Sequence, residues 1–233
     1  MSAMLNQTNI GNNNNKFFLI QCLQRTGTDE YASWFRWGRV GYEGQKNLQT
    51  GLSRETAMAV FEQKFNDKTL NEWAPEIYQT FSKCDGKYHL LSVDSLTGVE
   101  QLSKPEIHKI KIEYEETKLP IELFNLIQLI SSKEMMTEQL TLAGIDLTKM
   151  PLGKISASML LDAFKILKKI ESELSGNNSV KLTQLSSDFY TIIPHNFGFQ
   201  KMSNFIIKSK KLLKDKIELI ESLNDVMELN ESN

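Results

Sequence analysis

The sequence predicts an α+β protein: a small antiparallel sheet carrying one packed helix, followed by a separate all-α helical bundle. Three observations predict this. Short β-prone segments separated by turn clusters fill most of the first 94 residues. One segment among them, opening at Ser53, switches to 3.6-residue spacing. Beyond residue 119 the spacing is helical throughout.

Taken in order, the polar run Asn12–Asn15 precedes KFFLIQCLQ, a strand over 16–24 with both faces largely apolar. RTGTDE is a turn cluster, and YASWFRWGRVG (31–41) returns as the second arm of an antiparallel hairpin. Gly41 and Gly44 mark the next turn, and QKNLQT supplies a third strand. Ser53 is placed to cap a helix whose Ala57, Val60, Phe61 and Phe65 form one stripe. GKYHLLSVD (86–94) reads as strand again. The composition then changes: residues 95–118 are charged, irregular and interrupted by proline, as in a linker. Helices are expected over 119–132, 134–143, 156–175, 181–193 and about 203–229, the last with Ile206, Leu213, Ile217, Ile220 and Met227 on one stripe. The expected division is thus 1–94, a linker at 95–118, and a bundle over 119–233.

Composition narrows the function classes. The 233 residues are 40% hydrophobic and 24% charged, enough apolar material for one sizeable core or two small ones. No apolar run reaches about 18 residues, and the N-terminal stretch lacks the basic and apolar regions of a signal peptide, so an intracellular protein without a membrane partner is expected. Cys22 and Cys84 lie far apart without metal-ligand spacing, and His89, His108 and His195 give little support for a zinc site. The net charge is −2, and residues 1–90 carry ten basic against nine acidic side chains. Bulk electrostatic adhesion to nucleic acid is therefore excluded; any such binding must use a few placed contacts.

WFRWGRVGYEGQ (34–45) holds the most specific chemistry in the chain. In an extended strand Phe35, Trp37 and Arg39 share one face, with Trp34, Arg36 and Val40 on the other. An indole beside a guanidinium suits a nucleic-acid end, where the ring stacks on an exposed base or sugar and arginine holds phosphate. The same pair also fits a core tryptophan with arginine lying across it. Gly38 leaves room for close approach of a backbone or a ligand. Acidic pairs such as Glu115–Glu116, and Glu171 with Glu173, read as solvated faces, not as acid/base catalysts.

This segment carries a Trp-Gly-Arg signature, and together with MLNQTN, NNNNKFFLIQ, VFEQKFNDKTLNEW and GKYHLL it resembles the WGR domain of the DNA-dependent poly(ADP-ribose) polymerases. MPLGKIS, LKKIE, DFYTIIPHNFG and LLKDKIELIESL follow in the family's order and resemble its helical regulatory domain, so the resemblance covers roughly residues 4–228. It implies binding to DNA strand-break ends that bear a 5′ phosphate, with contacts from Asn13, Asn15, Lys16, Trp37, Arg39 and Tyr88. Arg36 ranks below Arg39, serving either the core side or a phosphate. It further implies a nuclear protein of the DNA damage response.

The family places its NAD chemistry in a C-terminal ADP-ribosyltransferase domain, and this chain ends at MELNESN, near where that domain would begin. No catalytic residue, cofactor or metal is therefore expected, and no enzymatic activity by the chain itself. His195, in IIPHNFG, reads as a capping or core residue. The helical bundle would either inhibit an ADP-ribosyltransferase catalytic domain or present a surface to another protein partner. Two alternatives remain: a fragment of a full-length NAD-dependent polymerase, or a subunit whose WGR module binds protein.

Overall fold

A computed structural model describes residues 1–91, 120, 140–141, 144–145, 156–176 and 178–231. The expected linker lies outside these residues, as do the helices over 119–132 and 134–143 apart from positions 120 and 140–141.

Five antiparallel strands form one sheet: β1 (Ser2–Asn9), β2 (Asn14–Gln24), β3 (Tyr31–Arg39), β4 (Gln45–Leu52) and the two-residue β5 (His89–Leu90), in the spatial order β4-β3-β2-β1-β5. Helix α1 (Arg54–Thr69) starts where the Ser53 hydroxyl accepts the Thr56 N–H at 3.2 Å, which satisfies one of the first-turn donors. Its Phe61 and Phe65 pack with Ala3, Leu5, Phe18, Ile20 and Phe35 on one face of the sheet, joined by Ile77 of the short α2 (Ile77–Thr80). The helical half contains α3 (Ala157–Leu174), α4 (Ser179–Ile192), a 3₁₀ turn (Met202–Phe205) and α5 (Lys210–Glu231). Its core includes Leu160, Leu167 and Ile170 of α3, Phe189 of α4, and Leu213, Ile220 and Leu223 of α5.

Two expectations differ from the described structure. Of the strand expected over 86–94, residues 92–94 lie outside the described residues, and within the described part only His89–Leu90 is strand. The long helix expected from 203 is broken: residues 206–208 are not helical, Ile206 being extended and Ile207 fully buried, before α5 begins at Lys210. The sheet half and the helical half pack against each other. Ile10 and Leu91 from the sheet half lie inside the helical core, and Met4 packs against it.

The joint between the halves follows from the edge of β1. Backbone groups of Met4, Asn6, Thr8 and Ile10 face away from β2, and β5 is long enough to pair only at Leu5 and Asn6, with the Leu91 N–H reaching the Met4 carbonyl at 2.9 Å. Helix α4 covers the rest. The Thr8 N–H donates to Thr191 Oγ1 at 3.0 Å and the Ile10 N–H to Ser187 Oγ at 3.0 Å, two hydroxyls four residues apart and so on one helix face. Asn6 Nδ2 donates to the Tyr190 and Thr191 carbonyls at 3.2 and 2.9 Å. An ion pair between Lys83 and Asp188 closes the outside. Buried backbone donors need partners, and here side chains of the other half provide them. Among the described residues, no helix is long and apolar enough to cross a membrane.

Candidate nucleic-acid interface

Antiparallel register aligns Lys16 with Arg39 and Phe18 with Trp37, so these four side chains share the face that carries α1. Lys16 and Arg39 lie beyond the part of that face filled by Phe61 and Phe65, and both remain half-buried. Trp37 stacks on Phe18, with ring centroids 5.6 Å apart and planes 12° from parallel, and is also half-exposed. Tyr88 meets the edge of Phe18 at 6.2 Å, and the Lys16 ammonium sits 5.2 Å from the Tyr88 ring centre. Burial pushes the Tyr88 hydroxyl up to about 12. Lys16, Trp37, Arg39 and Tyr88 are thus brought to one end of one face.

Helix α1 adds cations that sequence reading did not single out. Lys68 Nζ lies 4.7 Å over the Phe18 ring and Lys64 Nζ 5.8 Å over Phe35. Lys87 reaches the Asp67 carbonyl at 3.1 Å, and the Tyr88 N–H bonds the Lys68 carbonyl, tying the 84–88 turn to the end of α1. Burial, followed by repulsion from Lys64 and Lys16, holds the Lys68 ammonium below the ordinary lysine range. A like-charged cluster of this kind favours an anionic neighbour. Its sequence signal is the i,i+4 pair Lys64/Lys68 beside the apolar stripe of α1.

The glycines of the motif are fixed by sterics. A Cβ on Gly44 would lie 2.3 Å from the Trp37 carbonyl oxygen, and one on Gly38 would lie 2.7 Å from the Gly44 Cα. Gly44 also has φ +75, a conformation that side-chain-bearing residues rarely adopt. The turn therefore folds back directly over the strand that presents Trp37. Gly38 accommodates a backbone, one of the two possibilities its sequence left open.

The remaining predicted residues are placed elsewhere. Asn15 is 2% exposed: its Nδ2 donates to the His195 carbonyl at 2.8 Å, and its Oδ1 accepts the Thr8 hydroxyl at 3.0 Å. Asn13, at φ +53, accepts the Met202 N–H on Oδ1 at 3.0 Å. Arg36 lies on the opposite sheet face, 5.5 Å over the Phe17 ring, with Nε bonded to the Glu43 carbonyl at 2.8 Å. Arg39 does not lie as a lid on Trp37. Its Nε donates to the Gly198 carbonyl at 2.6 Å and Nη1 to the Asn13 carbonyl at 3.4 Å, and Nη2 is buried without a protein partner. Asn13, Asn15 and Arg39 thus belong to the joint as well as to the motif. Their side chains were visible in the sequence, but partners more than 150 residues away were not.

The loop that receives Arg39 is built on His195. This imidazole is fully buried, with Nδ1 2.6 Å from the Ile193 carbonyl and Nε2 2.9 Å from Lys216 Nζ. Burial, then the Lys216 charge, pushes its pKa well below the usual histidine value, so the ring is neutral: Nδ1–H donates to the carbonyl and Nε2 accepts from the ammonium. Lys216 is itself lowered to about 8 by burial. The structure places His195 in the core, as its sequence context implied.

Two families match this chain. The WGR domain family matches residues 1–80, and the family described as poly(ADP-ribose) polymerase, regulatory domain, matches residues 117–232. Among curated proteins, the chain is 38% identical over 230 residues to Poly [ADP-ribose] polymerase 2 of Arabidopsis thaliana, covering 96% of this chain and 36% of that protein. It is 36% identical over 229 residues to Poly [ADP-ribose] polymerase 2 of Homo sapiens, covering 96% and 38% respectively. Protein mono-ADP-ribosyltransferase PARP3 of Homo sapiens is 37% identical over 231 residues, covering 97% and 42%. The chain spans little more than a third of the length of these relatives, and neither matched family is a catalytic domain.

Proposed function

Because this chain belongs to the family that joins a WGR domain to a poly(ADP-ribose) polymerase regulatory domain, we propose that it binds DNA strand-break ends bearing a 5′ phosphate and serves as the break-sensing, regulatory part of a DNA damage response. The observation that carries the proposal is the gathering of Lys16, Trp37 and Tyr88, with Lys64, Lys68 and Lys87, at one end of one sheet face. A molecule of net charge −2 thus concentrates cations around a pre-oriented indole. Trp37, held against Phe18, packs on the terminal nucleotide, a surface that a closed duplex does not offer. Lys16 and Lys68 receive the phosphate.

Arg39 takes a different role from a simple phosphate clamp. Its guanidinium is held by the Gly198 and Asn13 carbonyls, so drawing it onto a phosphate means releasing the helical half at Gly198. Binding at the sheet end and the fit of the two halves are then coupled through one side chain. Any ADP-ribosyltransferase activity belongs to a longer protein of the relatives' kind, with the helical half as its control surface. A nuclear location accompanies this reading.

Fluorescence anisotropy with nicked, blunt and hairpin-capped duplexes tests the proposal. Trp37→Ala should weaken open ends roughly fivefold or more and leave capped duplex unchanged. Lys16→Ala should weaken phosphorylated ends more than dephosphorylated ones. The salt dependence should be shallow, reflecting a few phosphate contacts. Equal binding to capped and open duplex would overturn the reading.

A further inference from the structure

Residues 195–199 dock onto the motif strand and its turn through successive contacts. The His195 carbonyl accepts from Asn15. The Asn196 side chain occupies the space a Cβ on Gly41 would fill, with its nearest atom 2.1 Å from that position. Gly198 accepts from Arg39. Phe199 then meets Tyr42, ring centroids 4.7 Å apart and planes inclined by 47°. Gly198 is fixed from both sides, since its N–H donates to Asn196 Oδ1 at 3.0 Å. Yet Phe199 is 82% exposed, the most exposed aromatic among the described large hydrophobic residues.

We infer that Phe199, contributed by the helical half and braced by Tyr42, is a stacking platform for an unpaired nucleobase at the DNA end. The inference rests on the end-binding reading of the WGR face. Three features favour a base as the occupant. The ring directly follows the residue whose carbonyl holds Arg39, and Arg39 is two positions along β3 from Trp37, so the platform adjoins the proposed end site. An exposed ring braced on one side by Tyr42, with Arg39 beside it and the exposed Lys201 two residues on, suits a flat, polar-edged π system with a phosphate attached. Its docking contacts fix the loop before any ligand arrives, so little ordering is needed on binding. The helical half would then touch the nucleic acid itself, and an end with an unpaired overhang would engage both halves.

The test uses the 233-residue chain with blunt duplexes, duplexes carrying a three-nucleotide unpaired overhang, and the same overhang made abasic. Phe199→Ala should weaken binding to the base-bearing overhang roughly fivefold or more, with no change for blunt or abasic ends. Because the side chain is mostly exposed, the variant should keep the parent's thermal midpoint, and Phe199→Tyr should retain the overhang preference. Parent-like binding of the overhang by Phe199→Ala would overturn the inference. If Trp37→Ala still weakens blunt ends in that case, the end-binding reading stands and only the platform fails. If neither substitution alters binding to any end, both fail.

Discussion

At the scale of single residues, the backbone contact under the motif makes the sharpest claim. Gly44 has both a positive φ and a carbonyl oxygen 2.3 Å from where its Cβ would sit, whereas Gly51 has φ +70 and nothing within 4 Å of that point. Gly51→Ala therefore incurs only the conformational cost, about 1 kcal/mol. Gly44→Ala adds a steric clash that only movement of the Trp37 peptide relieves, and should cost about 2 kcal/mol or more. Urea denaturation of the two variants separates the effects, and similar midpoints would show that the turn yields easily. If the indole is displaced, Gly44→Ala should also weaken end binding without any change to a cation.

At the scale of elements, the β1–α4 contact explains what could and could not be read in advance. Thr191→Val leaves the buried Thr8 N–H without a partner, which should cost about 1–3 kcal/mol. Thr183, an exposed hydroxyl on the same helix that bonds only the Ser179 carbonyl, should tolerate valine within about 0.5 kcal/mol. Denaturant midpoints for the pair test whether α4 supplies the missing ladder partners of β1. Strand β1 itself escaped the hydrophobic pattern because Asn6 and Thr8 are buried as polar residues, with Asn6 Nδ2 and the Thr8 hydroxyl bonded across the joint, where an isolated sheet would place apolar ones. Strands β2 and β3, the Ser53 cap, and α3 and α4 were legible because local spacing and capping decide them. The break before α5 was not: Ile206 and Ile207 continue the apolar spacing, but the Ile207 N–H bonds Ser186 Oγ at 2.9 Å, a tertiary partner in place of a helical one. The motif likewise put Trp37 and Arg39 on one face of β3, but gave no sign that Asn15 and Arg39 would be engaged by the other half.

At the scale of the whole molecule, buried titratable groups set a pH dependence. His89 is lowered to about 4 by burial and then by Lys83, with Asp162 and Asp188 opposing, and His195 is lowered further below its usual value. Unfolded, both take up a proton near pH 6.5, while the folded protein excludes it. Their contribution is complete above that value and is lost as pH falls, by about 1 kcal/mol per pH unit for each group, with His89 levelling off near pH 4. Lys216 acts at the other end of the scale. Its folded pKa of about 8 lies below the ordinary lysine value, so the unfolded chain binds more protons between about pH 8 and 10.5 and stability rises across that interval. Denaturant midpoints from pH 5 to 9.5 should therefore climb, and His89→Gln should flatten the acidic limb. An unchanged acidic limb in that variant would remove His89 from the account.

The shortness of β5 also bears on solubility. Two residues cover the outer side of β1 near Asn6, and beyond them the Thr8 and Ile10 amides are shielded by hydroxyls of another element. A sheet rim of that kind pairs with the rim of a second copy whenever its cover lifts. Any event that parts the halves uncovers a brief template for strand exchange between molecules. The speed with which α4 returns then sets how concentrated the protein can be before copies begin to associate.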